Sequence, residues 1–410
     1  MGERLQVYWE KALVGDLRLN DQGDFLFQYS TQWVDNSMSE PLSIRLPLRS
    51  EPYPDEVCNL FFSNLLPEGR VRSLIARKLG ISEANTFALL KALGGDCAGA
   101  ISVLPDGQDA SDLGDYDLIT PAELEILIQA MAVSPLLVGK DNLRLSLAGA
   151  QQKLPVYVED NKIYLPRGSY PSSHILKPKV FGFDGIVENE VFCMTLAKRV
   201  GLSAPEAKIY IVKQPVYLVE RYDRKRDSKN RLVRIHQEDF CQALGYIDSR
   251  KYEAESGPNL QKCFSLISEH GTQPILDKKA FIQWVIFNVL IGNCDAHAKN
   301  ISMLMTNNEY RLAPFYDLIS TVVYPSLSAK LAMSVGGEVR PAWIMPRHWE
   351  RLAQDAGVGV KAVSALCGEL IATLPKAAAL LAAEFPAQHS GQGIIRKICN
   401  NISAIAKRIS

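Results

Sequence analysis

The sequence predicts an α+β fold with a small N-terminal β/α module, a β-rich lobe and a mostly helical C-terminal lobe. Three patterns support this order. Short apolar runs such as LQVYW and DFLFQY fill the first thirty residues, strand patterns predominate from about residue 143 to residue 222, and helical spacing predominates after residue 237. The 410 residues are enough for two or three compact units. The predicted units are residues 1–108, 109–230 and 231–410.

In the N-terminal module, turn residues such as Asn20 and Gly23 separate the apolar runs, which indicates a small antiparallel sheet. The stretch DEVCNLFFSNLLPEGRVRSLIARKLG then has apolar residues at helical spacing, interrupted at Pro67 and Gly69. Strand character returns in AISVL. The polar, acidic residues 105–119 that follow predict a long loop or a domain boundary.

In the second predicted unit, a helix with Pro121 near its start precedes the strands, which include a hairpin that turns at Asp160-Asn161. One helix, Glu188 to Val200, is inserted among its strands. In the helical lobe, EDFCQALG, LQKCFSLISEH and KKAFIQWVIFNVLIG have helical spacing, and two long helices are predicted at 359–384 and 392–409.

Composition limits the classes of function. Forty-five basic residues balance forty-five acidic ones, so no whole-chain field favours nucleic acid or an anionic membrane. The eight cysteines include no Cys-x-x-Cys pair, which favours buried free thiols over disulfides or zinc ligands. No run approaches the roughly 20 uninterrupted apolar residues of a membrane span, and the first residues lack a signal-peptide pattern. These features predict a cytoplasmic protein without a membrane partner.

The segment GNCDAHAKN, residues 292–300, contains the most informative candidate site. Asp295 and Asn300 have the Asp-x-x-x-x-Asn spacing of a protein-kinase catalytic loop, in which the Asp orients the acceptor hydroxyl and the Asn holds magnesium. Lys299 stands where a cation can neutralise charge on the transferred phosphoryl group. A solvated polar loop is the alternative for this string alone. His297 is a poor zinc ligand, because no second histidine lies three or four residues away.

A second magnesium ligand is expected from a hairpin downstream. The stretch ISMLMTNNEYRLAPFYDLIS predicts a strand, a turn at Asn307-Asn308, a second strand and then Asp317. Phe315 and Tyr316 precede this Asp, whereas the usual kinase triplet has its Phe after the Asp. The oxygen donors of Asp317 and Asn300 favour magnesium, a hard cation.

Upstream candidates follow the order of a kinase β-lobe. The small residues of SLAGAQQK, residues 146–153, offer backbone N–H groups for phosphates. Lys177 ends a strand and is the candidate phosphate-binding lysine, with Glu190 or Glu188 on the next helix as its ion-pair partner. Each feature alone is more typical of an ordinary turn or a solvated side chain. Their order along the chain favours a kinase.

The connection between the lobes, VERYD, is the candidate hinge for adenine, although a plain edge strand would have the same pattern. The candidate nucleotide-binding residues are Ala148, Gly149, Ala150, Gln151, Lys153, Lys177, Glu220, Tyr222, Asn300 and Asp317.

The chain resembles the HipA family, the kinase toxins of bacterial toxin–antitoxin pairs, over nearly its whole length. The segments that carry the resemblance are NLFFSNLLPEG, LLKALGGDCAGAISVLP, LSLAGAQQKLPV, SHILKPK, ENEVFCMTLAKRVGL, VERYDR, QEDFCQALG, KYEAESGP, DAHAKN and RLAPFYDLIS. Ala296 departs from the better-known family pattern, which has Gly there. The apolar segment KLAMSV also resembles the family, but its chemistry suggests no role.

The resemblance implies a bilobal protein-kinase-like fold and a set of roles. Asp295 would be the catalytic aspartate, His297 would lie near the transferred phosphate, and Asn300 and Asp317 would hold magnesium. Lys177 would contact the ATP phosphates, and the hinge residues would border the adenine.

The resemblance also implies that Ser146 can be phosphorylated by the enzyme itself. A phosphoserine adds about two negative charges beside the ATP phosphates, which should expel the loop and switch the enzyme off. The implied cofactors are ATP and Mg²⁺. The implied partners are a small helix-turn-helix antitoxin, HipB, operator DNA mainly through the antitoxin complex, and a protein of translation, typically an aminoacyl-tRNA synthetase.

The sequence therefore predicts an ATP- and Mg²⁺-dependent serine/threonine protein kinase that acts as a growth-arresting toxin. Two alternatives remain at this level. A nucleotide-binding pseudokinase could act with the antitoxin as a co-repressor, and a small-molecule phosphotransferase could use the same loop.

Overall fold

The computed structural model of the chain describes residues 3–108, 110, 115–132, 134–138, 145–385 and 389–409. The predicted loop at 105–119 lies partly outside these residues, and so does the start of the predicted strand-rich stretch near residue 143. The predicted domain boundaries near residues 108 and 230 stay predictions.

The N-terminal module is an antiparallel sheet with helices packed on it, which confirms the predicted small sheet. Its strands are β1 (Arg4–Trp9), β2 (Ala12–Leu19), β3 (Phe25–Tyr29) and β4 (Ile101–Pro105), in the order β3-β2-β1-β4. Its helices are α1 (Thr31–Asp35), α2 (Asp55–Ser63), α3 (Gly69–Leu79) and α4 (Thr86–Leu93). The break between α2 and α3 spans the predicted interruption at Pro67.

The β-lobe is a six-stranded antiparallel sheet with two helices. Its strands are β5 (Tyr116–Ile119), β6 (Leu154–Glu159), β7 (Lys162–Pro166), β8 (His174–Lys177), β9 (Ala207–Ile211) and β10 (Pro215–Glu220). Their order is β5-β7-β6-β8-β10-β9. The helices are α5 (Pro121–Met131) and α6 (Ile186–Arg199). The predicted hairpin turn is confirmed, because Asp160 and Asn161 both have positive φ, as a type I′ turn requires.

The C-terminal lobe is mostly helical and contains two small sheets. A hairpin pairs β11 (Arg224–Arg226) with β12 (Leu232–Arg234), and a three-stranded sheet contains β13 (His236–Asp239), β14 (Ser302–Thr306) and β15 (Glu309–Leu312). The helices are α7 (Phe240–Leu244), α8 (Leu260–His270), α9 (Pro274–Ile291), α10 (Pro346–Ala356), α11 (Val360–Glu384) and α12 (His389–Ile409). The sequence did not predict β13 or α10.

Two hydrophobic cores organise the described part of the chain. One core joins the N-terminal module to the β-lobe, since Phe27 and Phe62 belong to the same buried cluster as Leu154 and Leu176. The other core fills the helical lobe around α9. The predicted boundary near residue 108 therefore falls between elements that share one core.

The helix α11 differs from the expectation about membrane spans, because by length and composition alone it is apolar enough to cross a bilayer. Its buried residues, among them Val363, Leu370, Leu374 and Leu381, are spaced along one face and belong to the core of the helical lobe. Core helices of globular proteins often pass such a test, so α11 is weak support for a membrane segment.

The predicted free thiols are confirmed: all eight cysteines are unbonded, and seven are buried.

Candidate active site

The candidate catalytic loop begins where α9 ends. The second half of this helix is buried on nearly every side, and the helix stops at Gly292, whose φ of 69° is left-handed. A Cβ atom at Gly292 would come within 2.3 Å of Val322 Cγ2, so a larger residue would displace the chain. The buried helix and this glycine together give the loop a fixed starting point.

The Asn300 side chain joins the catalytic loop to Asp317, the other candidate metal ligand. Its Oδ1 accepts a hydrogen bond from the His297 backbone N–H at 3.1 Å, and its Nδ2 donates to Asp317 Oδ2 at 3.2 Å. Asp295, five residues before Asn300, is exposed to solvent. Ala296, the departure from the family pattern, does not have a positive φ, so its backbone conformation does not require glycine.

Lys177 contacts two carboxylates, one on α6 of the β-lobe and one, Asp317, in the helical lobe. Its Nζ lies 2.6 Å from Glu190 Oε1 and 2.5 Å from Asp317 Oδ1. Glu190, rather than Glu188, is therefore its partner on α6. Burial opposes the charge of Lys177, but the two carboxylates outweigh it and raise its pKa. In turn Lys177 holds the pKa of Asp317 well below its usual range, against the effect of burial.

Asp317 itself adopts a left-handed backbone conformation with a φ of 54°. This conformation is sparsely populated for residues other than glycine, although Asp tolerates it better than most, and it costs about 1–3 kcal/mol. Residues held in such conformations often cluster at functional sites. The conformation accompanies contacts of the carboxylate with both Lys177 and Asn300.

The candidate phosphate loop is docked against the N-terminal module at its first residue. Ser146 is fully buried, its hydroxyl donates to the Leu65 carbonyl at 2.7 Å, and its N–H donates to the Asp96 carbonyl at 3.1 Å. A phosphoryl group on this hydroxyl has no room beside Leu65. Phosphorylation of Ser146 therefore requires the loop to leave this position.

The middle of the same loop depends on Gly149. Its φ is +111°, its carbonyl accepts from the Glu68 N–H at 3.2 Å, and a Cβ there would approach Lys153 Nζ to 2.7 Å. Lys153 donates from Nζ to the Ala148 carbonyl, and burial lowers its pKa to about 8. Ala150 is exposed and Gln151 is half-buried on the same loop.

The two candidate hinge residues, Tyr222 and Glu220, differ in how firmly the surrounding structure holds their side chains. Tyr222 stacks on Tyr316, with ring centroids 5.3 Å apart and planes at 21°, and its hydroxyl bonds to Gln237 and Ser302. Glu220 is exposed at the end of β10. The structure therefore holds Tyr222 firmly beside the segment that leads to Asp317, and it leaves Glu220 open to solvent.

Two loop residues have unexpected surroundings. Lys299 is buried, and its Nζ donates to Asn64 at 2.6 Å and forms ion pairs with Asp239 at 3.0 Å and Glu68 at 3.5 Å. Its charge is thus balanced within the fold, so nothing in the geometry supports the predicted role on the phosphoryl group. His297 is buried, which lowers its pKa to about 4 and keeps its ring neutral near pH 7.

Sequence reasoning missed a tyrosine that contacts the candidate catalytic residue. The Tyr252 hydroxyl donates to Asp295 Oδ1 at 2.7 Å. The neighbouring Lys251 forms an ion pair with Glu68 at 2.7 Å. The segment KYEAESGP carried part of the family resemblance, but no local pattern assigned these two residues to the site.

A buried ionic cluster at the junction of the lobes was also missed. The Asp96 carboxylate binds Arg221, Arg224 and Arg234, with N–O distances of 3.2, 2.8 and 3.2 Å. Asp223 binds Arg221 at 2.7 Å and Arg224 at 3.0 Å. All five side chains are buried. The cluster ties the N-terminal module, which contributes Asp96, to the candidate hinge.

The donors fit a divalent cation. The Asp317 carboxylate and the Asn300 amide meet beside Lys177, and carboxylate and amide oxygens are the hard donors that Mg²⁺ prefers. For the Asn300 oxygen to join Asp317 on the cation, the amide would have to turn, because its Nδ2 faces Asp317 and its Oδ1 accepts from the His297 N–H.

The lysine–glutamate pair, the Asp-x-x-x-x-Asn loop and the downstream Asp, set between a β-lobe and a helical lobe, define a protein-kinase-like fold. A family model described as the HipA-like C-terminal domain matches residues 145–378, and one described as the HipA N-terminal domain matches residues 5–104. The chain belongs to the HipA family. The predicted family and fold class are both confirmed.

Curated relatives agree with this assignment. The chain is 39% identical to a putative kinase, Y4mE, of Sinorhizobium fredii, over 99% of this chain and 98% of that protein. It is 32% identical to the serine/threonine-protein kinase toxin HipA of Shewanella oneidensis, over 82% of this chain and 79% of that protein. A solved complex of HipA, HipB and operator DNA from Shewanella oneidensis has a TM-score of 0.87 at 28% identity, and covers 99% of this chain and 97% of that chain.

Proposed function

We propose that this chain is an ATP- and Mg²⁺-dependent serine/threonine protein kinase that acts as the toxin of a HipBA-type module. The observation that carries the proposal is the contact of Lys177 with both Glu190 and Asp317. In protein kinases the corresponding lysine–glutamate pair and the metal-binding Asp must both be in place for transfer. Here one ammonium group joins them, with Asn300 beside Asp317.

In the proposed reaction, Lys177, Lys153 and the backbone N–H groups of residues 148–150 bind the triphosphate. Asn300 and Asp317 would hold Mg²⁺, whose positive charge would offset the charge of the phosphates. Asp295 is exposed, so an acceptor hydroxyl can reach it. Its carboxylate orients that hydroxyl for in-line attack on the γ-phosphorus and accepts the hydroxyl proton. The bond from the γ-phosphorus to the β,γ-bridging oxygen breaks, and ADP is the leaving group.

We further propose that phosphorylation of Ser146 is an off-switch. The hydroxyl is buried under Leu65, and a phosphoserine there would bring a dianion against a carbonyl oxygen and next to the bound triphosphate. Both contacts are repulsive. A phosphorylated loop therefore leaves its docked position, and the phosphate-binding N–H groups leave with it.

The proposed partners follow from the family. Support for a HipB-like antitoxin is the likeness to the Shewanella oneidensis HipA that was solved with HipB and operator DNA. Because the net charge of this chain is zero, DNA contact is assigned mainly to the antitoxin complex. The proposed acceptor is a protein of translation, in the first place an aminoacyl-tRNA synthetase, and the proposed location is the cytoplasm.

Phosphate transfer tests the proposal. Wild-type protein and Asp295→Ala are each incubated with labelled ATP and a bacterial cell extract, and new phosphosites are mapped by mass spectrometry. We expect label in acceptor proteins with wild type and a loss of at least about a hundredfold with Asp295→Ala. Asp21→Ala, in an exposed turn, is the control and should match wild type. Equal labelling by wild type and Asp295→Ala would contradict the assignment, and ATP binding without transfer would indicate a pseudokinase.

A further inference from the structure

The connection between α7 and α8 reaches into the active site through one side chain. Tyr252 lies 43 residues before Asp295 in the chain, yet its hydroxyl donates a 2.7 Å hydrogen bond to Asp295 Oδ1. We infer that Tyr252 is a positioning residue, which fixes the Asp295 carboxylate so that its second oxygen faces the acceptor hydroxyl. The inference rests on the proposed kinase activity.

Both neighbours of Tyr252 are anchored to other parts of the molecule. Lys251 forms its ion pair with Glu68 of the N-terminal module at 2.7 Å. The Glu253 carboxylate accepts from the Ser334 N–H at 2.5 Å and from its hydroxyl at 2.9 Å, and the Glu253 N–H donates to the Ala332 carbonyl at 3.1 Å. The segment KLAMSV, whose chemistry had suggested no role, is thus one of the two anchors.

The ring of Tyr252 is held as well as its backbone. It packs edge-on against the His297 ring, with centroids 5.1 Å apart and planes at 77°. His297 is buried within the catalytic loop, so this contact holds the phenol against that loop. The hydroxyl position is therefore set by contacts with three parts of the chain: the N-terminal module, the segment KLAMSV and the catalytic loop.

The consequence for Asp295 is a loss of rotational freedom. The side chain of Asp295 is exposed, and among the described residues Tyr252 is the only one whose side chain donates to its carboxylate. With Oδ1 occupied by the phenol, Oδ2 is left for the acceptor. Because the Asp295 carboxylate is already fixed, its conformational entropy is not lost on the way to the transition state, and the activation barrier is lower.

Tyr252→Phe is the matched test, because it removes the hydroxyl and keeps the ring on His297. Transfer from labelled ATP to proteins of a bacterial cell extract is measured at saturating ATP, and affinity is measured with a fluorescent ATP analogue. We expect transfer to fall roughly tenfold while affinity for the analogue and the melting temperature stay as in wild type. The control is Tyr246→Phe, whose hydroxyl accepts from Lys262 outside the catalytic loop, and it should transfer at the wild-type rate.

A double mutant separates positioning from a structural role. In an Asp295→Ala background, Tyr252→Phe should cause no further loss, because the oxygen that it positions is gone. Wild-type transfer by Tyr252→Phe, or a parallel loss of analogue affinity or melting temperature, would overturn the inference. Failure of the kinase proposal gives a different result, since wild type and Asp295→Ala would then label the extract equally.

Discussion

Two lysines near Asp317, Lys177 and Lys153, have pKa values shifted in opposite directions. Lys177 touches two carboxylates, which raise its pKa. Lys153 hydrogen bonds to a carbonyl instead, and burial together with the nearby charge of Lys177 lowers its pKa to about 8, although Asp317 opposes that shift. Lys153 is therefore the phosphate-loop cation whose charge depends on pH in the neutral to basic range.

Nucleotide affinity should report the titration of Lys153. A lysine is charged below its pKa, so the free loop is cationic below about pH 8 and loses this charge above it. We expect affinity for a fluorescent ATP analogue to be highest below pH 8 and to fall roughly tenfold by pH 9.5, where one charged contact is lost. Lys153→Arg should remove most of this dependence, since arginine stays charged. Equal pH profiles for the two proteins would contradict the assignment.

The sequence predicted the site residues that follow a fixed spacing or order. Asp295 and Asn300 are five positions apart, and Asp317 follows a hairpin with a recognisable turn, so both features are local. Glu68 and Tyr252 reach the site from distant segments, and their partners cannot be inferred from neighbouring residues. The surroundings of Lys299 could not be inferred for the same reason, because the residues that contact it, Asn64 among them, come from distant segments. The role expected for Lys299 therefore lacked support once these contacts were known.

At the scale of elements, the phosphate loop is held mainly by backbone groups of another module. Ser146 bonds to the Leu65 and Asp96 carbonyls, and the Gly149 carbonyl accepts from Glu68. These contacts involve no side chain other than the Ser146 hydroxyl. A single modification at that hydroxyl can therefore weaken the docking of the whole loop.

Substitution of Ser146 tests this docking. Ser146→Asp puts a carboxylate beside the Leu65 carbonyl, so we expect at least about a tenfold loss of affinity for a fluorescent ATP analogue and faster proteolysis at residues 146–153. Ser146→Ala removes one hydrogen bond without adding charge, and should bind the analogue within a few-fold of wild type. The mechanism is refuted if the two variants lose affinity equally.

Elements with local signals were predicted well, and elements that depend on distant pairing were not. The helix α5 has Pro121 at its first position and a capping box from Thr120 to Glu123, all visible in sequence. The strand β13 exists because it pairs with β14, more than sixty residues later. The helix α10 begins at Pro346, five residues after Pro341, and two prolines so close together favour a loop, although proline is well accommodated at a first helical position.

At the scale of the whole molecule, Asp96 is the residue with the most inter-module contacts in the ionic cluster. Its carboxylate binds three arginines and the Ser172 hydroxyl, at 2.6 Å for the last. Burial opposes its charge, but Arg221, Arg224 and Arg234 outweigh it and hold the pKa of Asp96 well below its usual range. Removing this charge leaves three buried cations with one carboxylate fewer.

Asp96→Asn should destabilise the protein by about 3–5 kcal/mol in denaturant unfolding at pH 7. A carboxyl with a depressed pKa stabilises the fold above its unfolded value, about 3.9, and this contribution is lost as the pH falls. The difference between wild type and Asp96→Asn should therefore shrink below about pH 4. Asp106→Asn, which breaks an exposed pair with Arg4, is the control and should change stability far less. Similar effects of the two substitutions would contradict this account.

The buried ionic cluster also restricts how nucleotide can be exchanged. In many kinases the two lobes swing about the strand that links them, and the cleft widens. Here that link contains Arg221, which is paired with Asp96 of the N-terminal module, and Asp223, which accepts from the Gly99 N–H of the same module at 2.8 Å. A swing would therefore strip several buried charges of their partners at once. In the part of the chain that the structure describes, the phosphate loop is held by hydrogen bonds to backbone groups and by no ion pair of this kind. Spent nucleotide should therefore be released when the phosphate loop moves away from the cleft, while the two lobes keep their relative positions.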